Sequence, residues 1–253
     1  MKKLSVIVLC SSLCAAVLIS ASVIGINALF SEETKASDPE ITAGKSSSEK
    51  TALSAYLPEG EIYEYPITPR KTPEKWKEFT SHGQMLKACQ IPEDILSDMT
   101  TRELLLTCVD YPLANDALAY TNDLSTDPFR PVIRMHNGLT ELFKRPDFSS
   151  ELAALYKYYT ESVSEDPEKF DALLNESDPD LLRQNRLSRL SCLCYMTRSA
   201  MREDMLNASD IVQIKDCSAE LSSKFDKKTS EYDYFSGVYK VFSGEIPVST
   251  VIG

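Results

Sequence analysis

Histidine, glycine and tryptophan are scarce in this sequence. Its 253 residues include two histidines, eight glycines and one tryptophan. Any imidazole base must therefore be His82 or His136. The run Gly44-Lys45-Ser46 imitates the end of a phosphate-binding loop. That loop needs a glycine five positions before Gly44, where Pro39 stands, and no nucleotide cofactor is indicated. Positive charge is also short, with 27 Lys and Arg against 38 Asp and Glu, a net charge of −11. Nucleic acid is bound by basic side chains that release counterions from phosphates, so a polynucleotide partner is disfavoured.

What the sequence does have begins at its N-terminus. Met1-Lys2-Lys3 precedes an uncharged run from Leu4 to Phe30, a basic region followed by an apolar segment of the export type. A bilayer span needs about 20 residues, so the run is long enough to remain as a signal anchor, whereas Ser20-Ala21-Ser22 supplies a cleavage site for the alternative of secretion. Lys2 and Lys3 before the span, with Glu32 and Glu33 after it, place the N-terminus in the cytoplasm and the bulk of the chain outside. Residues 31–55 are rich in Ser, Thr, Lys and Glu and read as a disordered linker. Residues 56–253 are long enough for one domain with a sizeable core. Removing the leader's two lysines leaves 25 basic against 38 acidic residues, or −13.

The densest structural signals lie between Gln90 and Tyr120. Thr100 and Glu103 have capping-box spacing, and Leu104, Leu105, Cys108 and Val109 share a face of the helix that follows. Pro92 opens a helical turn upstream, and Pro112 restarts the chain after a bend at Tyr111. The blocks HGQMLKACQIPEDILSDMTTRELLLTCVDYPL and HNGLTELFKRPD resemble a recurring pattern in an uncharacterised family of secreted or membrane-anchored proteins from anaerobic gut bacteria. The resemblance implies export and a helical fold, and it carries no activity or catalytic residue.

Further helices are expected after Pro73 through Trp76 and after Asp127-Pro128 through Val132, Met135, Leu139 and Leu142. In the latter, Asn137-Gly138 interrupts a helical pattern without breaking its phase, which suggests close packing or a kink. Phe148 to Val163 forms an amphipathic stripe, a long helix follows Asp178, and Ser209-Asp210 opens what reads as the last helix. Asp166-Pro167 reads as one more helix start. Glu61 to Pro69 reads as an extended edge segment. Tyr239 and Val241, then Ile246 and Val248, alternate about Ser243-Gly244 as in a terminal β-hairpin. The expected fold is mainly α: an irregular multi-helix domain, open to a solenoid-like stacking of helix pairs, with a short C-terminal β-hairpin.

Candidate chemistry is sparse. His136 could act as a base with Ser125 or a cysteine as attacker and Asp127 as orienter, although no nucleophile elbow accompanies them. His82, before Gly83, reads as a turn residue. Arg183, Arg186 and Arg189 recur every third residue and form a possible anionic-partner face, or a face neutralised by the domain's own acids. Cys192 and Cys194 stand about 200° apart on a helix and cannot share an ion, so no metal is expected. Five cysteines lie outside the leader and read as packed free thiols, with a Cys89–Cys108 bridge as the alternative. A small-ligand site would be a pocket lined by Trp76 or Tyr156. The expectation is a non-enzymatic, extracytoplasmic module tethered to the membrane by residues 4–30 and serving protein association or envelope organisation. The alternatives are an extracellular hydrolase using His136 and a small-ligand binding protein.

Overall fold

The computed structural model describes residues 62–120, 127–165 and 179–247. All of them belong to one compact unit, Ser48–Gly253. The leader, the linker, Ser125, the Asp166-Pro167 start and Val248 lie outside the described residues.

Short helices come first: α1 (Pro73–Lys77), α2 (His82–Ala88), α3 (Glu93–Asp98) and α4 (Thr101–Val109). A 3-10 helix, Ala114–Tyr120, follows the bend at Tyr111. Next are α5 (Arg130–Met135) and α6 (Asn137–Leu142). The long helices close the chain: α7 (Phe148–Glu165), α8 (Pro179–Arg202), α9 (Ala208–Lys224) and α10 (Ser230–Phe242). The described residues are mainly helical and contain no strand. None of their helices is long and apolar enough to cross a membrane.

The expected capping box starts α4. Thr100 Oγ1 accepts from the Glu103 N–H, and the Glu103 carboxylate accepts from the Thr100 N–H at 2.8 Å. These contacts satisfy donors that a helix start leaves unpaired, and loss of such a cap costs about 1 kcal/mol. Leu104 to Val109 are all buried, so α4 is covered on every side rather than along one stripe. Polar contacts join it to α7 and the residue before it: Thr101 donates to Asp147 at 2.6 Å, and Arg102 grips the Glu151 carboxylate with two donors.

The helix after Asp127 is broken where its apolar phase had suggested continuity. His136 leaves the helical region, at φ −115° and ψ 121°, ending α5 and capping α6. Its Nδ1 accepts the Leu139 N–H at 3.1 Å. The break is held from outside. Gln90 accepts the Asn137 N–H at 2.9 Å and donates to the last carbonyl of α5, Met135, at 3.1 Å. Asn137 in turn grips the Ile91 main chain, accepting its N–H at 3.0 Å and donating to its carbonyl at 2.7 Å. Gly138 lies so close to Ile91 that a Cβ there would stand 2.6 Å from Cδ1. Close packing and a kink thus occur together.

The expected terminal β-hairpin is not formed. Residues 230–242 are helical, capped by Thr229, whose hydroxyl accepts from the Tyr232 N–H at 3.3 Å. Phe235, Val238 and Val241 recur every third residue and are buried, a helical period that the alternation of Tyr239 and Val241 had masked. Ser243-Gly244 ends this helix. Gly244 takes φ +73°, its N–H donates to Val241, and the Glu245 N–H donates to Lys240, the paired bonds of a glycine-terminated helix. The last helix is therefore α10, and α9 begins at Ala208, slightly before the expected Ser209 start.

A solenoid is also excluded, because α8 touches elements far away in sequence: α4, the 3-10 helix and α10. From Arg189 to Ala200 every residue of α8 is buried. Small polar side chains make this possible. Thr197 donates to the Leu193 carbonyl at 2.7 Å and shares a 3.0 Å hydrogen bond with Tyr156 of α7. Packing of α7 on α9, α9 on α10 and α10 on α8 completes the core.

Candidate functional site

Residues 62–71 form an irregular strap before α1. Tyr65 anchors it, 5% exposed, with its hydroxyl 3.1 Å from His136 Nε2 and its ring edge-on to Tyr63 at 5.5 Å between centroids. Because Nδ1 accepts from Leu139, neutral His136 carries its proton on Nε2 and donates it to Tyr65. The imidazole also lies against Tyr111, with ring centroids 4.1 Å apart. Burial pulls its pKa down to about 3, and a hydrogen bond to the Cys89 main chain offsets only part of that effect. Both ring nitrogens are thus engaged in holding structure.

Between the strap, the Asp110–Asn115 bend and α8 lies a cleft of about 220 Å³. This exceeds the cavity of about 150 Å³ that admits benzene and falls below the 300 Å³ or so of the smallest drug-sized sites. The strap contributes Tyr63, Arg70 and Lys71, the bend contributes Asp110, Tyr111 and Asn115, and α8 contributes Asn185, Ser188 and Arg189. Asn185, Ser188 and Arg189 share one helix face through their spacing of three and four residues. Sequence gave no sign of this cleft, because Arg70 and Asn185 stand 115 positions apart before the chain folds.

Electrostatics in the cleft are unbalanced. Arg189, almost fully buried, holds the Asp110 carboxylate with two parallel donors. Burial opposes the Arg189 charge, but the Asp110 carboxylate overcomes that and raises its pKa. Lys71 pairs with Glu64 at 2.8 Å. Among the described residues Arg70 has only a neutral hydrogen-bond partner, donating to Asn185 Oδ1 at 2.9 Å, and burial lowers its pKa although Asp110 is near enough to oppose the shift. Among the described residues three cations and two carboxylates line the cleft, an excess of one positive charge, on a domain whose sequence is strongly acidic.

The other candidates fall elsewhere. Arg183 is exposed, while Arg186 is tied to the buried Glu231 at 3.3 Å and Arg189 to Asp110, so the ridge is largely neutralised by the domain's own acids. Asp127 accepts the Phe129 N–H at 3.0 Å, and the described partners of His136 include no carboxylate. Trp76 packs edge-on to Phe79 and Tyr156 bonds Thr197, and neither lines the cleft. His82 sits not in a turn but on the first residue of α2, 2.6 Å from Asp116 of the 3-10 helix.

Cys89, Cys108, Cys192, Cys194 and Cys217 are all free, so Cys89 and Cys108 form no bridge. Cys192 donates to the Cys108 carbonyl at 3.2 Å, and burial pushes the Cys89 and Cys194 thiols up to about 12. Such thiols are poor nucleophiles. Among the described residues no three metal-ligating side chains stand together. Comparison with family models, with curated proteins and with solved structures finds no match.

Proposed function

We propose that this protein is a non-enzymatic recognition module, carried outside the cell on residues 4–30, that binds a small polar ligand in the cleft between its N-terminal strap and α8. The observation that carries this reading is the half-buried Arg70 in a cleft of about 220 Å³, with hydrogen-bonding groups from three separate parts of the chain around it. The uncharged run after Lys2-Lys3 and the resemblance to exported proteins support the placement outside. Protein association remains part of the proposal, since a cleft of this size also accepts a single side chain or chain end. A hydrolase built on His136 lacks a comparable observation, because the imidazole is buried with its nitrogens engaged.

The test is a screen of compact polar compounds against the full chain in detergent micelles, read by amide hydrogen exchange. Binding is expected to slow exchange in residues 62–71 and 185–189. Protection confined to α9 and α10, or no binder at all, would contradict the cleft as the recognition site.

A further inference from the structure

Resting on that cleft, we infer that its ligand is a compact monocarboxylate held by Arg70. The excess charge sets the sign. Arg189 and Arg70 both lie near Asp110, but only Arg189 is hydrogen-bonded to it, so two guanidinium groups share one carboxylate. Among the described residues, Arg70 has no carboxylate of its own.

Geometry supports the same class. Arg70 donates one N–H to Asn185, which holds one edge of the guanidinium, and among the described residues its other donors meet no acceptor. A planar fork with parallel donors matches a carboxylate bidentately. Asn185 and Ser188 line the same cleft from α8, and Asn115 lines it from the bend. A phosphate dianion fits less well, because it would bring two negative charges against an excess of one, beside Asp110 and Glu64. Half-buried Tyr63 lines the cleft and supplies a surface for a small apolar or aromatic body. The volume of about 220 Å³ holds the body and its carboxylate together.

A free organic acid and a peptide C-terminus share this chemistry. The experiment therefore titrates the full chain in micelles with phenylacetate and with the tripeptide Gly-Gly-Phe, each beside its amide. Exchange protection at residues 62–71 and 185–189 gives the site, and titration gives the affinity. Each acid is expected to bind at least about tenfold more tightly than its amide. Tighter binding of phenylacetate assigns the site to free acids, and tighter binding of the tripeptide assigns it to chain ends.

Arg70→Gln is expected to erase the preference for acid over amide. Arg70→Lys is expected to weaken acid binding about tenfold, because an ammonium keeps the charge without the fork. Asn185→Asp supplies the missing carboxylate from within and is expected to abolish acid binding while the fold remains. Arg183→Gln, on the exposed side of the ridge, is expected to change nothing. Equal binding of acid and amide in the cleft, or acid binding unchanged in both Arg70→Gln and Asn185→Asp, would overturn the carboxylate assignment while leaving the cleft reading intact. No protection of either segment by any probe would remove both.

Discussion

Tyr65 Oη and His136 Nε2 lie 3.1 Å apart across 71 positions of sequence, and this hydrogen bond ties the strap to the helical body. One wall of the cleft depends on it, since Tyr65, Arg70 and Lys71 belong to the same short segment. Tyr65→Phe keeps the ring contact with Tyr111 and removes the hydroxyl. The expected loss is about 1–3 kcal/mol in urea unfolding, because the buried imidazole N–H loses this acceptor. Hydrogen exchange should quicken in residues 62–71 more than in α7 or α9. An equal change throughout would mean that Tyr65 acts only through global stability.

Acid should weaken the fold through the same histidine. Folded His136 has a pKa of about 3, and an imidazole in the unfolded chain titrates near 6.5, so the unfolded state takes up the proton first. Its contribution is complete above about pH 6.5 and is lost as pH falls towards 3, by about 1.4 kcal/mol for each pH unit. His136→Asn retains a side chain able to cap α6 and should flatten that part of the slope. Unfolding free energies of both proteins between pH 7 and 4 test this; parallel curves would show that His136 does not govern the slope.

Gly138→Ala should destabilise the domain by about 1–3 kcal/mol, the usual cost of overpacking. The added Cβ would meet Ile91 Cδ1 at 2.6 Å, His136 Cε1 at 2.8 Å and Cys108 Sγ at 3.3 Å. Ile91 can turn its terminal methyl aside, whereas the imidazole is fixed by hydrogen bonds at both nitrogens. Thermal melts of the two proteins give the comparison, and an unchanged midpoint would show that the ring yields.

Asp204 points the other way. It ends α8 at φ 55°, where the Met205 N–H returns to the Ala200 carbonyl at 2.9 Å, and it is exposed. The left-handed region costs an L-residue roughly 1–2 kcal/mol, less for Asp, and Gly adds entropy to the unfolded chain. Asp204→Gly should therefore stabilise by about 0.5–1 kcal/mol in chemical denaturation. A loss of stability would show that the carboxylate makes a compensating contact.

Local signals in the sequence were legible wherever the physics is local. Thr100 and Glu103 announced their capping box, and the stripe from Phe148 to Val163 announced α7. Asn137-Gly138 announced a close approach but not its partner, because Ile91 lies 46 positions earlier. Alternation misled at Tyr239 and Val241, where Thr229 as cap, Glu231 and Asp233 in the first turn and Gly244 at the end were the stronger helical signs. The ridge of Arg183, Arg186 and Arg189 was legible as a pattern, but its neutralisation by Glu231 and Asp110 is tertiary. Arg70 gave no sign at all. It stands in an irregular segment, and only the packing of that segment against α8 brings it to Asn185.

Filling the cleft tests recognition there most directly. Ser188 lines it from α8 without a part in the Arg189–Asp110 pair, so Ser188→Trp occupies the space and leaves the ion pair in place. The measurement is the thermal unfolding of wild type and Ser188→Trp, each with and without a binder from the screen at about a hundred times its dissociation constant. Wild type should gain about 2.7 kcal/mol from the ligand, and Ser188→Trp should melt as a folded protein and gain nothing. Equal stabilisation of the two would place binding elsewhere and contradict a cleft-based recognition module.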